Sequence, residues 1–502
     1  MIPTILVEVP EIKPRSYARC CNIIFYFFLG IIEIAVIPLF YTVRYPKYSW
    51  GVYLSKSDEN FTYYLNFEYK ILADLSIMML VGYGYIISYL RFHRWMCLVL
   101  SFYIVMISLQ YYILFYGFWK GCWNGTWIEG IPMSISIISL AQKAAITILI
   151  SLGALIGKVD FFQMTIFSLG ELIIYTLLES ILFRTVGILD QGGAIYIHTF
   201  GAFYGIFASW IYSPKANSKD NPNNRVSYSS ATVAFIGTFF LWITFPTFNS
   251  FNYHHSYLNP GTYYSNIFPS ESIMLVQMIN NPINFNLAFL GISNTYWSLI
   301  VSTTTTFWLS MILDHGKLII HHILNSTLAG GIMIASCCDM FAFPFPSLII
   351  GAFAGLFSVF SYTILWKLLE NFLLFDTRGI LHLHGLPGIF GGIASAIAIS
   401  TINQNYYGNP SISIDYIPWK RKGWDQGGFQ IVGLLISLAM AILAGSIMGI
   451  ILRICRVLNL PEDTFGDQIF FKMIQTNEVM KPHLIQNQSS VMSPPLVVQK
   501  IY

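Results

Sequence analysis

Long apolar runs recur along almost the whole chain, and they constrain the fold more than any other feature. Twelve are candidate crossings of a bilayer core of about 30 Å. They cover residues 21–42, 71–90, 97–119, 133–157, 161–182, 190–212, 228–248, 286–313, 318–338, 346–367, 380–401 and 428–452. Hydrophobic residues make up 55% of the 502 and charged ones 10%, where a soluble domain carries roughly 25% charged. The chain therefore predicts an all-α polytopic membrane protein. Aromatic residues reach 17%, and many Tyr and Trp fall near span ends, as interfacial belts require. A formal net charge of +3 is too small to argue for nucleic acid, and no basic block interleaved with aromatics occurs.

Lys and Arg set the expected orientation. With the N-terminus cytoplasmic, cytoplasmic segments hold 17 of the 27, outer segments nine, and Lys143 falls inside a span. That excess predicts cytoplasmic N- and C-termini. Residues 1–20 then form a cytoplasmic N-terminus, 21–452 the transmembrane domain and 453–502 a cytoplasmic tail without periodicity. The sequons at Asn60 and Asn124 fall outside, where glycosylation is expected, while the one at Asn325 lies within a span and reads as chance. The first span is too long for a signal-peptide core and holds Glu33, so it reads as a retained extra span. Seven cysteines without CxxC or Cys/His spacing imply no metal site. Cys20 and Cys21, at the edge of the first span, read as inert thiols, with palmitoylation as the alternative.

Two stretches echo one another. In DQGGAIYIHTFGAFYG, Asp190 precedes His198 by eight residues; in DTRGILHLHGLPG, Asp376 precedes His384 by eight. Setting aside the extra first span, the histidines lie in the fifth and tenth spans, which cross in opposite directions. Each histidine sits about 12 Å along its helix from its aspartate, one measured from each membrane face. Both imidazoles therefore arrive near the midplane. Matched elements in opposite orientation mark two inverted five-helix repeats, about 71–212 and 228–401, around a central pore.

The aspartates read first as N-caps, because each precedes a helix as Asp-x-x-Gly. A residue eight along is turned by roughly 80°, so neither aspartate bonds its own histidine. Buried imidazoles are expected to be neutral, and one neutral ring can donate N–H to the bare nitrogen of the other. Such a pair suits a small polar or proton-exchanging solute. The adjacent pairs His254-His255 and His321-His322 do not share a helix face. No HExxH or i, i+4 ligand set occurs, so neither an enzyme nor a cofactor is expected.

The stretches DQGGAIYIHTFGAFYG, FIGTFFLWITFPTFNS, NSTLAGG and LHLHGLPGIFGG, in order between Leu72 and Gly449, resemble the Rh (Rhesus) glycoprotein branch of the ammonium transporter superfamily. The resemblance implies a plasma-membrane homotrimer with one narrow pore per subunit. It matches His198 and His384 to twin pore histidines, Asp190 and Asp376 to paired acids, and Glu179 to a vestibule glutamate. Phe240 matches one of two stacked gate phenylalanines, which can hold a cation by the ring face. Lys143 stands where the second gate phenylalanine is expected. That lysine either snorkels to the outer interface or between helices, or guards the mouth and favours a neutral gas. His382 is expected to face away from the pore.

The implied activity is an electroneutral ammonia channel: ammonium is recruited, loses its proton, and crosses as ammonia. Bare ammonium in a dry pore would face a desolvation cost of tens of kcal/mol. A proton-coupled ammonium carrier, a carbon dioxide channel and a non-transporting structural protein stay open as alternatives.

Overall fold

The computed structural model describes residues 16–44, 69–125, 130–212, 223–250, 282–371, 376–402, 417–418, 421–455 and 466–467. Asn60, His254, His255 and the side chains of Cys20, Cys21 and Asn124 lie outside the described residues. Twelve helical stretches run through the described chain. They are α1 (Ser16–Leu39), α2 (Tyr69–Ile87), α3 (Arg94–Asn124), α4 (Ile135–Leu152), α5 (Phe161–Val186) and α6 (Ala194–Tyr212). The remainder are α7 (Tyr228–Ser250), α8 (Pro282–Leu313), α9 (320–333), α10 (Phe345–Leu368), α11 (Leu381–Thr401) and α12 (Gly423–Ile454). Among the described residues, nine of these are long and apolar enough to cross a membrane; α1, α8 and α9 are the others.

Local chemistry sets the ends of these helices. Gly125, left-handed at φ 66°, terminates α3. The Ser134 hydroxyl accepts from Ile137 N–H at the start of α4, and Asp160 with Gln163 forms a reciprocal capping box at the start of α5. The remote residue Asp467 serves α3, its carboxylate accepting from the N–H groups of Trp95 (3.0 Å) and Met96 (2.9 Å). In α8 the run Ser302 to Thr306 is polar, yet Thr303, Thr304 and Thr305 donate to carbonyls of their own helix, so their hydroxyls stay satisfied.

The expected span at 318–338 departs from a plain helix. Ile320–Asn325 is followed by a 3-10 turn at Ser326–Leu328, then Ala329–Met333, and turns from 334 to 340. Side chains of α8 explain the break: Ser302 donates to Ser326 O at 2.9 Å and Ser298 to Gly330 O at 2.8 Å. An apolar run reveals length but cannot reveal such interruptions.

The two halves exchange contacts reciprocally. α4 and α9 each give way to a run of turns, 153–158 and 334–340. The loop before α6 joins the turns after α9 through Gly192 N–H to Ala335 O (2.8 Å). The loop before α11 joins the turns after α4 through Thr377 Oγ1 to Ala154 O (3.4 Å). Inverted repeats produce this crosswise stitching. Burial follows it: 83% of the α4 span and 78% of α6 are buried, against 33% of α12. The helices carrying Lys143 and His198 thus lie in the protein interior, and α12 is the least buried of the nine.

Candidate functional site

The site is built on two irregular helix starts. Asp190 and Asp376 each lie three residues before a left-handed glycine, Gly193 at φ 79° and Gly379 at φ 71°. A side chain there would be strained by backbone conformation alone, and a Cβ on Gly379 would also fall 2.4 Å from the Tyr362 ring. Beyond each glycine the chain winds as a π-turn, Ala194–Thr199 in α6 and Leu381–Gly385 in α11. π-turns are rare and gather at functional positions. Here each one carries a histidine at its inner end.

The carboxylates hold these starts together. Asp190 Oδ2 accepts from the N–H groups of Ile195 and Tyr196, both at 2.9 Å, and Oδ1 accepts from the Ser336 hydroxyl. Asp376 accepts from Gly379 N–H and Leu381 N–H, both at 2.9 Å. Neither aspartate bonds its own histidine; both satisfy backbone donors that the helix start leaves free.

His198 and His384 meet between the halves. Their Nδ1 atoms are 3.1 Å apart, and their rings lie 16° from parallel with centroids 5.2 Å apart. One ring must donate and the other accept. In neutral rings the donor then has a bare Nε2 and its partner carries Nε2–H. The pair accordingly presents one acceptor and one donor.

Aromatic rings extend the pair in both directions. Tyr83 stacks on His384 at 6.1 Å, while Phe245 and Phe248 pack on His198 at 6.1 and 5.8 Å. Lys143 Nζ lies 5.1 Å from the Phe248 ring centre and donates to Gln191 O at 3.4 Å. On the other side, a cavity runs from His384 and Tyr83 past Leu149 and Ile380 to Arg378. A continuous file therefore leads from Lys143 through Phe248, His198, His384 and the cavity to Arg378.

The structure bears on three of the expected site residues. Phe240 is half-buried, and the ring facing both Lys143 and His198 is Phe248. Eight residues along a helix separate two side chains by about 12 Å and roughly 80°, so Phe240 and Phe248 hold different positions on the helix. Phe245 and Phe248, three apart, share the inner face instead. Lys143 does not snorkel: at 2% exposure it turns inward on the most buried span. Glu179 is also 2% exposed, enclosed against the Tyr112 hydroxyl at 2.9 Å rather than open to a vestibule.

The other histidines have neighbours of their own. His382 bonds Ser361 Oγ at 3.1 Å and packs on Tyr362 and Trp366. His321 packs edge-on to Tyr89, and His322 bonds Ser310 Oγ at 3.2 Å. Sequence reasoning missed Phe248, Tyr83 and Arg378. Phe248 could have been found from its i, i+3 spacing with Phe245, and Arg378 from being a charge inside a capping loop.

Comparison with known proteins agrees with this architecture. Residues 52–470 match the model of the Ammonium Transporter Family. The ammonium transporter Rh type B of Oryzias latipes is 33% identical over 427 residues, covering 84% of this chain and 84% of that one. The Rh type C protein of Rattus norvegicus is 30% identical, covering 88% of this chain and 84% of the relative. Among solved structures, Rh50 of Nitrosomonas europaea superposes with a TM-score of 0.64 at 24% identity, over 83% of this chain and 94% of that one. Mep2 of Saccharomyces cerevisiae gives 0.56 at 18% identity, over 77% and 84%. Matched along most of its length and carrying the two inverted Asp–His helices, the chain belongs to the Ammonium Transporter Family, on its Rh branch.

Proposed function

We propose that the protein conducts ammonia across a membrane along the file between Lys143 and Arg378. The observation that carries this reading is the His198–His384 pair, a donor and an acceptor set between the Phe245 and Phe248 rings on one side and a mostly aliphatic cavity on the other. Ammonia has three N–H donors and one lone pair, so it can donate to the bare Nε2 and accept from the Nε2–H. Ammonium has no lone pair and cannot use the donor. Its desolvation would also cost far more than that of the neutral molecule. The pair thus favours the solute after it has lost its proton.

Lys143 sharpens the order of events. A protonated amine over Phe248 repels ammonium, so deprotonation belongs on the outer side of that ring. Phe248 and Phe245 then narrow the way to His198, and ammonia regains its proton beyond the cavity. The relatives named above are called ammonium transporters, which supports ammonium as the species recruited. The same reading takes the protein as a plasma-membrane homotrimer with cytoplasmic termini, glycosylated at Asn60 and Asn124. It assigns no part of the reaction to a cofactor.

Purified protein in liposomes under an ammonium gradient tests the proposal. The lumen should alkalinise without current, and His198→Ala or His384→Ala should slow this at least about tenfold. Saturable current would sink the electroneutral reading in favour of a carrier, and no flux from an intact trimer would favour a structural protein. Carbon dioxide flux that survives loss of ammonia flux would point to the gas alternative.

A further inference from the structure

The cavity beside His384 contains a charge for which ammonia conduction has no use. Arg378 is 5% exposed. Its Nη2 donates to Ile86 O at 2.7 Å, and its guanidinium lies 4.4 Å from the centre of the Tyr89 ring. Its Nε and Nη1 are buried and have no hydrogen-bond partner among the described residues. Asp376, two residues away, accepts from the backbone N–H groups of Gly379 and Leu381 and makes no hydrogen bond to Nε or Nη1. The Tyr83 hydroxyl in the same wall is likewise buried without a partner.

Arginine keeps its proton in proteins. Burying such a cation with charged donors unmet costs several kcal/mol unless another group compensates. A carbonyl and a ring face satisfy part of the guanidinium, and Asp376 acts on its charge without bonding Nε or Nη1. Nε and Nη1 of Arg378 and the Tyr83 hydroxyl thus belong to side chains that line one cavity, whose other walls are mostly aliphatic, Ile86, Ile87, Leu149 and Ile380 among them, with Asn325 and His384 as the remaining polar residues.

We propose that this cavity binds a small monovalent anion, held by Nε and Nη1 of Arg378 and by the Tyr83 hydroxyl. The single guanidinium matches one negative charge. The aliphatic wall selects anions that shed water readily, such as nitrate or chloride, over doubly charged or bulky ones. The site lies on the Arg378 side of the histidine pair, and its occupancy is measurable without any solute gradient. Its failure is therefore separate from failure of the conduction reading.

The full-length protein in detergent, titrated with sodium nitrate or chloride against sodium gluconate at constant ionic strength, provides the test. Thermal stability should rise and saturate with nitrate or chloride, as ligand binding to the folded state requires, and gluconate should give no saturable rise. Arg378→Gln should abolish the saturable part. Tyr83→Phe should raise the half-saturating concentration roughly three- to tenfold, the worth of one hydrogen bond. If Arg378→Gln does not fold, Tyr83→Phe decides: a raised half-saturation supports the site and an unchanged one overturns it. An equal response to gluconate, or an intact nitrate effect in folded Arg378→Gln, also overturns it.

Discussion

The starts of α6 and α11 share a backbone and differ in what surrounds it. Both place aspartate, left-handed glycine, π-turn and histidine at the same intervals. Around Asp190 the space is filled: Ser336 bonds the carboxylate, and Lys143 lies over Phe248, which packs on His198. On the Asp376 side a cavity lies between His384 and Arg378, whose donors are partly unmet. The scaffold is thus symmetric where helix starts must be held and the histidines aligned. It is asymmetric where a solute enters or leaves. Repetition dictates position, and local side chains decide what each position handles.

The caps offer the largest break in that symmetry. Asp190→Ala strips acceptors from two backbone N–H groups and from Ser336, while Asp376→Ala strips two N–H groups. Each buried donor left unmet costs about 1–3 kcal/mol. Asp190→Ala should therefore destabilise by on the order of 3–5 kcal/mol and Asp376→Ala by somewhat less, read as thermal midpoint and yield of monodisperse protein. Equal losses would mean that the Ser336 bond contributes nothing and that the two starts are energetically alike.

Charge at the two ends comes next. Lys143→Met keeps most of the side-chain volume and removes the like charge that approaching ammonium meets. Ammonia flux in liposomes at low ammonium should rise about tenfold, or about 1.4 kcal/mol in barrier. Arg378→Met lies beyond the proposed deprotonation step, so it should change that initial rate far less. Similar gains in both variants would show that the two ends act as one electrostatic barrier and would erase the distinction.

The repeated scaffold was readable in the sequence because its signals are local or periodic. Apolar runs mark the spans, and Asp-x-x-Gly marks the caps at Asp190 and Asp376. Two equal Asp–His intervals in oppositely directed helices bring His198 and His384 together. The asymmetric parts were not readable in the same way. Phe240 and Phe248 look equivalent in an aromatic run until helical rotation separates them. Lys143 could point outward or inward until packing around α4 is known. The interruption of α9 depends on serines more than twenty residues earlier in α8. These features come from tertiary partners, which no local pattern encodes.

The smallest expected effect concerns what pins the Arg378 end. The α2–α3 turn is clasped by Asp467, whose N–H donates to Phe92 O at 2.8 Å and whose carboxylate lies 3.8 Å from His93 Nδ1. The turn adjoins Ile86, the carbonyl that anchors Arg378. Burial pushes the His93 pKa down to about 4, with Asp467 opposing the shift. The folded state thus resists protonation that an unfolded histidine accepts near its ordinary 6.5. Unfolded protein binds more protons across that window, so the contribution is complete above about pH 6.5 and is lost as pH falls toward about 4. Hydrogen exchange at the Trp95 and Met96 amides, corrected for intrinsic rate, should show weakening protection from pH 7 to 5. His93→Gln should flatten that dependence without altering amides around Asp190. If protection at both ends falls together, acid loosens the whole fold and the clasp is not specific to the Arg378 side.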